Sequence, residues 1–268
     1  MLKQYMSSTH MQSRADWNAC IVQAAEMGFD GIELFGGDYA LREKMEPVRL
    51  SALRRAAAAH GIALSAHPWV EWAALPPDAL ASGTRWLLES CARLGAREVN
   101  VHMAFFTDRG AGLERLFDAF DPCLPLLEAE GMTLLFENVP GHGFREIGSE
   151  PDDFASLFSH YGPDAPVMMT MDNGHAHIMG CTREMAERFA GRWRYAHIDD
   201  NDGLEDLHLR PGEGNVDWDD LADCARRAGY AGPLMMEYPQ AGLEEGLAVV
   251  RRAFEGAGYA LRTLKTGA

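Results

Sequence analysis

The sequence predicts a (β/α)8 barrel, in which eight parallel strands close into a ring and each strand is followed by a helix. Short runs rich in Val, Ile, Leu and Met alternate with segments of helical periodicity along the chain, which is the pattern of repeated βα units. The length of 268 residues is close to the roughly 250 residues typical of such barrels. No GxGxxG fingerprint follows the first predicted strand, which disfavours a doubly wound open sheet.

Eight apolar runs have the length of strands and the composition typical of strands covered on both faces. The predicted strands are Leu2–Ser7, Gly31–Phe35, Ala63–His67, Glu98–Met103, Thr133–Asn138, Val167–Asp172, Tyr195–Asp199 and Leu234–Tyr238. The predicted helices between and after them are Arg14–Met27, Pro47–His60, Pro77–Leu94, Gly112–Glu130, Glu150–His160, Arg183–Ala190, Asp217–Ala228 and Leu243–Leu264. A glycine, which suits the left-handed position that ends a helix, follows five of them: Gly28, Gly61, Gly95, Gly131 and Gly229.

The composition is that of a globular protein with a strong acidic excess. Hydrophobic residues make up 47% and charged residues 24% of the chain, and 24 basic against 40 acidic side chains give a net charge of −16. Proteins that hold long nucleic acids or anionic membranes do so through clustered Lys and Arg, so we expect neither partner. No linker or low-complexity tract divides the sequence, and we expect one catalytic barrel domain over residues 1–268.

The five cysteines favour a reducing compartment. They are odd in number, widely spaced and never arranged as CxxC, which is not the pattern of a disulfide framework or a structural zinc site. The first residues lack the apolar core of a signal peptide, and no stretch approaches the roughly 18 apolar residues of a membrane span. We therefore expect a cytoplasmic protein.

Six predicted strands end on or next to an ionisable residue, and in a barrel these ends form the active site. The six residues are His67, His102, Glu137, Asp172, His197 and Glu237. Buried ionisable groups need a partner or a metal ion. Carboxylate and imidazole ligands without a thiolate suit Mn²⁺, Co²⁺, Mg²⁺ or Zn²⁺ at a catalytic site.

Five short motifs resemble the xylose-isomerase-like superfamily, which contains sugar isomerases and epimerases together with endonuclease IV. The motifs are FEN at 136–138, MDNGH at 171–175, AHIDD at 196–200, HLRPGEG at 208–214 and MEYP at 236–239. The resemblance implies one divalent metal ion bound by Glu137, Asp172, His197 and Glu237. It also implies that Glu137 and Glu237 form an acid/base pair that moves a proton through a metal-bound enediolate.

Further residues are expected at the mouth of the barrel as substrate contacts or additional metal ligands. They are His67, His102, His175, Asp206, His208, Arg210 and Trp69. With the four residues above, the five at 67, 102, 175, 206 and 208 match all nine ligand positions of the three-metal cluster of endonuclease IV. The acidic run between Asp199 and Asp206 opposes DNA binding, and we expect only Arg210 and Arg145 to bring guanidinium groups near the mouth.

The sequence is therefore interpreted as that of a metal-dependent sugar isomerase or epimerase acting on a ketose or sugar phosphate. Three alternatives stay open: a lyase resembling inosose or dehydroshikimate dehydratases, a zinc-dependent abasic-site endonuclease, and a barrel that only binds a sugar or metal as a sensor. The expected partner is a small sugar or polyol, without a nucleotide cofactor, and a homo-oligomer is compatible with the resemblance.

Overall fold

A computed structural model describes residues 1–36, 46–68, 76–103, 108–141 and 146–265. Eight parallel strands pair in chain order, and β8 pairs with β1 to close the barrel, which confirms the predicted fold class. The strands are β1 Gln4–Ser7, β2 Gly31–Gly36, β3 Ala63–Pro68, β4 Glu98–His102, β5 Thr133–Glu137, β6 Val167–Asp172, β7 Trp193–Ile198 and β8 Leu234–Met236.

Each predicted strand coincides with an observed one, and the differences lie at the ends. The last strand is the shortest, since β8 stops at Met236 instead of reaching Tyr238. Glu237 therefore stands on the first residue beyond the strand, although its backbone N–H still bonds to the carbonyl of Ile198 at 2.9 Å. The seventh strand begins at Trp193, two residues before the predicted start at Tyr195.

The helices surround the barrel and follow the predicted order. They are α1 Trp17–Met27, α2 Pro47–His60, α3 Pro77–Leu94, α4 Arg109–Phe120, α5 Leu124–Glu130, α6 Pro151–Tyr161, α7 Asn173–Ile178, α8 Thr182–Arg188, α9 Trp218–Ala228 and α10 Leu243–Gly256. The five glycines predicted to end helices all have positive φ angles. No helix in the described ranges combines the length and the apolar character needed to cross a membrane.

Two helix predictions are wrong in part. The segment Gly112–Glu130 forms two helices separated by the 3-10 turn Asp121–Cys123, because Pro122 has no N–H to continue the helical ladder. The predicted helix Leu243–Leu264 ends at Gly256. Beyond it the chain crosses the amino-terminal end of the barrel, where Lys265 donates its backbone N–H to the carbonyl of Met27 at 2.8 Å. The short helix α7 was not predicted.

Large side chains fill the half of the barrel interior that lies toward the amino-terminal ends of the strands. Tyr5, Leu135, Tyr195 and Met235 form a buried cluster, and the rings of Tyr5 and Tyr195 meet edge to face at 5.9 Å between centroids. The Ser65 hydroxyl pairs with the Tyr195 hydroxyl at 2.8 Å, so these buried polar atoms are satisfied. Because this cluster fills one end of the interior, a cavity can form at the carboxyl ends of the strands.

We expect Gly232→Ala to lower the free energy of unfolding by about 1–3 kcal/mol, which is the usual cost of forcing an atom into packed structure. A Cβ at Gly232 would overlap the backbone carbonyl of Arg194, which cannot move without disturbing β7. The matched control is Gly191→Ala, where nothing lies within 4 Å of the added carbon. Urea unfolding of both variants checks this expectation, and equal stabilities would contradict it.

Candidate active site

Four of the six ionisable residues at the strand ends, His67, His102, Glu137 and Glu237, line a cavity of about 310 Å³ at the carboxyl-terminal mouth of the barrel. Its described lining consists of Thr9, His10, Phe35, His67, His102, Glu137, Val139, Pro140, Glu146, His175, Asp206, His208 and Glu237. The lining therefore combines imidazoles and carboxylates with the apolar side chains of Phe35, Val139 and Pro140.

Four buried residues from four strand ends form the centre of the site. Glu137, Asp172, His197 and Glu237 each offer one ligand atom, and these atoms all lie within 4.8 Å of one another. Nδ1 of His197 is 3.1 Å from Oε1 of Glu137, 2.7 Å from Oε2 of Glu237 and 3.9 Å from Oδ2 of Asp172. We call these four residues the central cluster.

The donor atoms of the central cluster fit a divalent metal ion. Oε2 of Glu137, Oδ2 of Asp172, Nδ1 of His197 and Oε2 of Glu237 are buried, and none has a partner with hydrogen-bond geometry. Buried polar atoms without hydrogen bonds are costly, and a cation held by these four residues would offset that cost. Oxygen and imidazole donors without sulfur suit Mn²⁺, Co²⁺, Mg²⁺ or Zn²⁺.

Two flanking groups extend the central cluster along the cavity. In the first, Nε2 of His67 lies 3.0 Å and Nε2 of His102 lies 3.5 Å from Oε2 of Glu137. In the second, Oδ2 of Asp206 lies 3.2 Å from Nε2 of His175 and 3.5 Å from Nε2 of His208. Both flanking groups have the spacing of metal ligands. The structure thus brings together the nine residues that the sequence singled out.

The FEN and MDNGH motifs tie β5 to β6. The side chain of Asn138 accepts the backbone N–H of Asp172 at 2.8 Å and donates to its carbonyl at 2.9 Å. Asp172 in turn caps α7, since Oδ1 accepts the backbone N–H of His175 at 2.7 Å. The glycine of the motif is required because a Cβ at Gly174 would overlap the carboxylate of Asp199. These bonds fix the positions of Asp172 in the central cluster and of His175 on the cavity wall.

Asp200 organises the long loop between β7 and α9. Its carboxylate accepts the backbone N–H groups of Gly212 at 2.8 Å and Val216 at 3.1 Å, and the indole N–H of Trp218 at 3.3 Å. His208 has a φ of 44°, and its Nδ1 lies 2.9 Å from the carbonyl of Glu237. The HLRPGEG motif therefore returns the loop across the barrel mouth.

Neighbouring imidazoles and carboxylates shift one another's pKa values across the site. Burial acts to raise the pKa of Glu237, but His197 and His208 outweigh it and hold that pKa at about 2. Burial likewise acts to raise the pKa of Glu137, and His197, His102 and His67 hold it well below its usual range. Burial acts to lower the pKa of His175. The carboxylates of Asp172, Asp206 and Glu137 outweigh burial and raise that pKa to about 10.

One predicted contact does not lie on the described cavity wall, and two others fall outside the described residues. Arg210 pairs with Oε1 of Glu213 at 2.8 Å and with Oε2 of Glu245 at 3.4 Å, and it is not among the lining residues. Trp69 and Arg145 lie outside the described residues.

The sequence analysis missed Glu33 and the first loop. Glu33 lies in β2, is fully buried, and places Oε1 3.3 Å from Nε2 of His197. A charged residue inside the otherwise apolar run GIELFG was the available signal. Thr9 and His10 line the cavity after β1, and the His10 ring lies 5.1 Å from that of His208. No strand-end carboxylate marks this loop in the sequence.

The fold and the site define a barrel whose acidic and imidazole side chains gather at the carboxyl ends of its strands. A family model described as the xylose isomerase-like TIM barrel matches residues 21–255, and the chain belongs to this family. The resemblance seen in the sequence is thereby confirmed. The chain is also 27% identical over 157 residues to the uncharacterized protein y4fM from Sinorhizobium fredii, a match that covers 57% of this chain. It spans about half the length of that relative.

Solved structures share the fold over nearly the whole chain. A D-tagatose 3-epimerase-like protein superposes with a TM-score of 0.81 at 19% identity, covering 96% of this chain and 98% of that one. D-psicose 3-epimerase from Clostridium cellulolyticum gives 0.75 at 16% identity, with 96% and 99% covered. An AP endonuclease of family 2 from Brucella melitensis gives 0.72 at 20% identity, with 92% and 97% covered. Sugar epimerases and AP endonucleases are thus both among the structural neighbours.

We expect Mn²⁺ binding to the metal-free protein to release protons and to tighten as the pH rises. The carboxylates of the central cluster raise the pKa of His197 well above its usual value, although burial opposes them. A metal ion needs the unprotonated ring nitrogen, so it must displace a proton. Calorimetry in buffers of different ionisation enthalpy measures this release. An affinity that stays constant between about pH 6 and pH 8, with no protons released, would contradict the expectation.

Proposed function

We propose that this protein is a divalent-metal-dependent sugar isomerase or epimerase. It would act on a ketose or sugar phosphate by moving a proton through an enediolate. The observation that supports this most directly is the pair of glutamates that both approach Nδ1 of His197. Glu137 is the last residue of β5, and Glu237 is the first residue after β8. The two carboxylates therefore reach the same space from different parts of the barrel wall.

The two glutamates have the properties of a proton-transfer pair. A base must be ionised and must come within hydrogen-bond reach of the carbon acid. The imidazoles around Glu137 and Glu237 hold the pKa of both carboxylates low, so both can accept a proton at neutral pH. One glutamate would remove the proton beside the carbonyl, and its partner, after taking up a proton from solvent, would return that proton to the other face or to the neighbouring carbon. A divalent ion in the central cluster would supply an electrophile for the substrate oxygens.

The cavity suits a small polar molecule with one apolar face. Its volume of about 310 Å³ lies at the lower end of the range for small-molecule sites. Phe35, Val139 and Pro140 can cover the carbon skeleton of a sugar, while the imidazoles and carboxylates face its hydroxyl groups. Neither Lys nor Arg occurs among the described lining residues, which disfavours a nucleic acid as the substrate.

The compartment proposed from the sequence has one structural support. All five cysteines are buried free thiols, which is typical of proteins in a reducing environment. The proposal therefore keeps the cytoplasm as the site of action.

A second candidate, a zinc-dependent endonuclease, is favoured by one specific observation. The central cluster and its two flanking groups offer three sets of metal ligands in a row. The charge opposes this candidate, because the net charge is −16 and the one arginine expected at the mouth within the described residues is paired with two glutamates.

Glu137→Gln and Glu237→Gln should each lower turnover by at least about 100-fold, which is the usual contribution of a general acid or base. The assay incubates ketoses with the protein in D₂O and follows deuterium entering the carbon beside the carbonyl. The matched control is Glu98→Gln at the opposite end of the barrel, where Glu98 pairs with Arg194 at 3.6 Å. Normal exchange in either active-site variant would contradict the acid/base roles. Loss of water from a keto-polyol without exchange would favour the lyase.

Metal analysis of the purified protein separates the two candidate functions. We expect one tightly bound, exchangeable ion per chain, held by the central cluster, because the isomerase chemistry needs a single electrophile. Replacing Asp206 by Asn should then leave the metal content unchanged, since Asp206 belongs to a flanking group. Three zinc ions per chain, with one lost in the Asp206→Asn variant, would support the endonuclease instead.

A further inference from the structure

Glu33 is a carboxylate in the barrel interior that the proposed reaction does not use. It lies in β2, where it pairs in register with Ser65 of β3, and none of its surface is exposed. It does not line the cavity, so it is not placed to touch a substrate. A fully buried carboxylate is retained only where it has compensating partners, and its partners therefore indicate its role.

One side of Glu33 is held by a chain of polar side chains. The amide nitrogen of Asn100 donates to Oε2 of Glu33, and the hydroxyl of Thr170 donates to the amide oxygen of Asn100. All three residues are fully buried. Because a carboxylate can only accept and an amide has distinct donor and acceptor ends, this chain fixes the orientation of Asn100. It also keeps the Glu33 carboxylate from turning.

The other oxygen of Glu33 faces the imidazole of the central cluster. Oε1 lies 3.3 Å from Nε2 of His197, and both atoms are buried without a partner in hydrogen-bond geometry. The opposite ring nitrogen, Nδ1, lies 3.1 Å from Glu137 and 2.7 Å from Glu237. The ring thus stands between Glu33 on one side and the donor atoms of the central cluster on the other.

We propose that Glu33 is a positioning residue for the metal site, holding the proton of His197 on Nε2 so that Nδ1 presents its lone pair to the ion. The inference rests on the proposed function only in that a divalent ion occupies the central cluster. Histidines that bind metals commonly donate their second ring N–H to a carboxylate, which sets the tautomer and the ring direction. Thr170 and Asn100 extend this support, because they hold the accepting carboxylate in place.

The test measures Mn²⁺ binding to the full chain after removal of metal with a chelator. Glu33→Gln preserves the shape of the side chain but removes the charge, and its Mn²⁺ affinity should fall by about 10- to 100-fold, the usual effect of losing such a partner. The control is Tyr195→Phe, which removes another buried polar contact of the barrel interior, the bond to Ser65. Its affinity should equal that of the unchanged protein, even where its melting temperature falls.

A second variant covers the case in which Glu33→Gln does not fold. Asn100→Ala leaves the Glu33 carboxylate present but frees it to turn, so Mn²⁺ should bind several-fold more weakly and the visible spectrum of bound Co²⁺ should change. Unchanged Mn²⁺ affinity in Asn100→Ala, or equal affinities for Glu33→Gln and Tyr195→Phe, would overturn the proposal. So would the loss of one bound ion per chain in Glu33→Gln, which would make Glu33 itself a ligand. Weaker Mn²⁺ binding without any sugar turnover would support the role of Glu33 while refuting the isomerase.

Discussion

The burial of several carboxylates and imidazoles at one end of the barrel is the constraint on which the rest of the structure depends. Glu137, Asp172 and His197 are almost completely buried, and charges placed so deeply require close compensation. The imidazoles supply part of it, as their raised pKa values indicate. A divalent cation would supply it more completely, since each residue of the central cluster has a buried atom without a hydrogen bond and the four residues have the spacing of metal ligands.

The polar loops around the mouth hold this arrangement in place. Asn138 joins the ends of β5 and β6 through two hydrogen bonds, and Asp200 gathers the loop that carries Asp206 and His208. Neither Asn138 nor Asp200 is among the residues that line the cavity, but both set the directions of groups that line it. A similar supporting chain lies below the cavity. It runs from Thr170 through Asn100 to Glu33, which meets His197.

The sequence predicted the fold and the central residues well because both follow from local patterns. Strand and helix order follows from hydrophobic periodicity, and parallel strands that close into a barrel place their carboxyl ends in one ring. Residues such as His67 and Glu137 could therefore be grouped before any distance was known. The helix break at Pro122 was also visible in the sequence, but the strong periodicity on both sides of it favoured one long helix over Gly112–Glu130.

What the sequence by itself determined is which residues meet at the mouth, since strand order and side-chain chemistry are local properties. Only the tertiary structure decided how they divide into a central cluster and two flanking groups, because that division depends on distances between side chains from different strands. It also decided that Arg210 turns toward Glu213 and Glu245. Glu33 became visible as part of the site for the same reason: its neighbours Asn100 and His197 are far away along the chain and adjacent only once the barrel has closed.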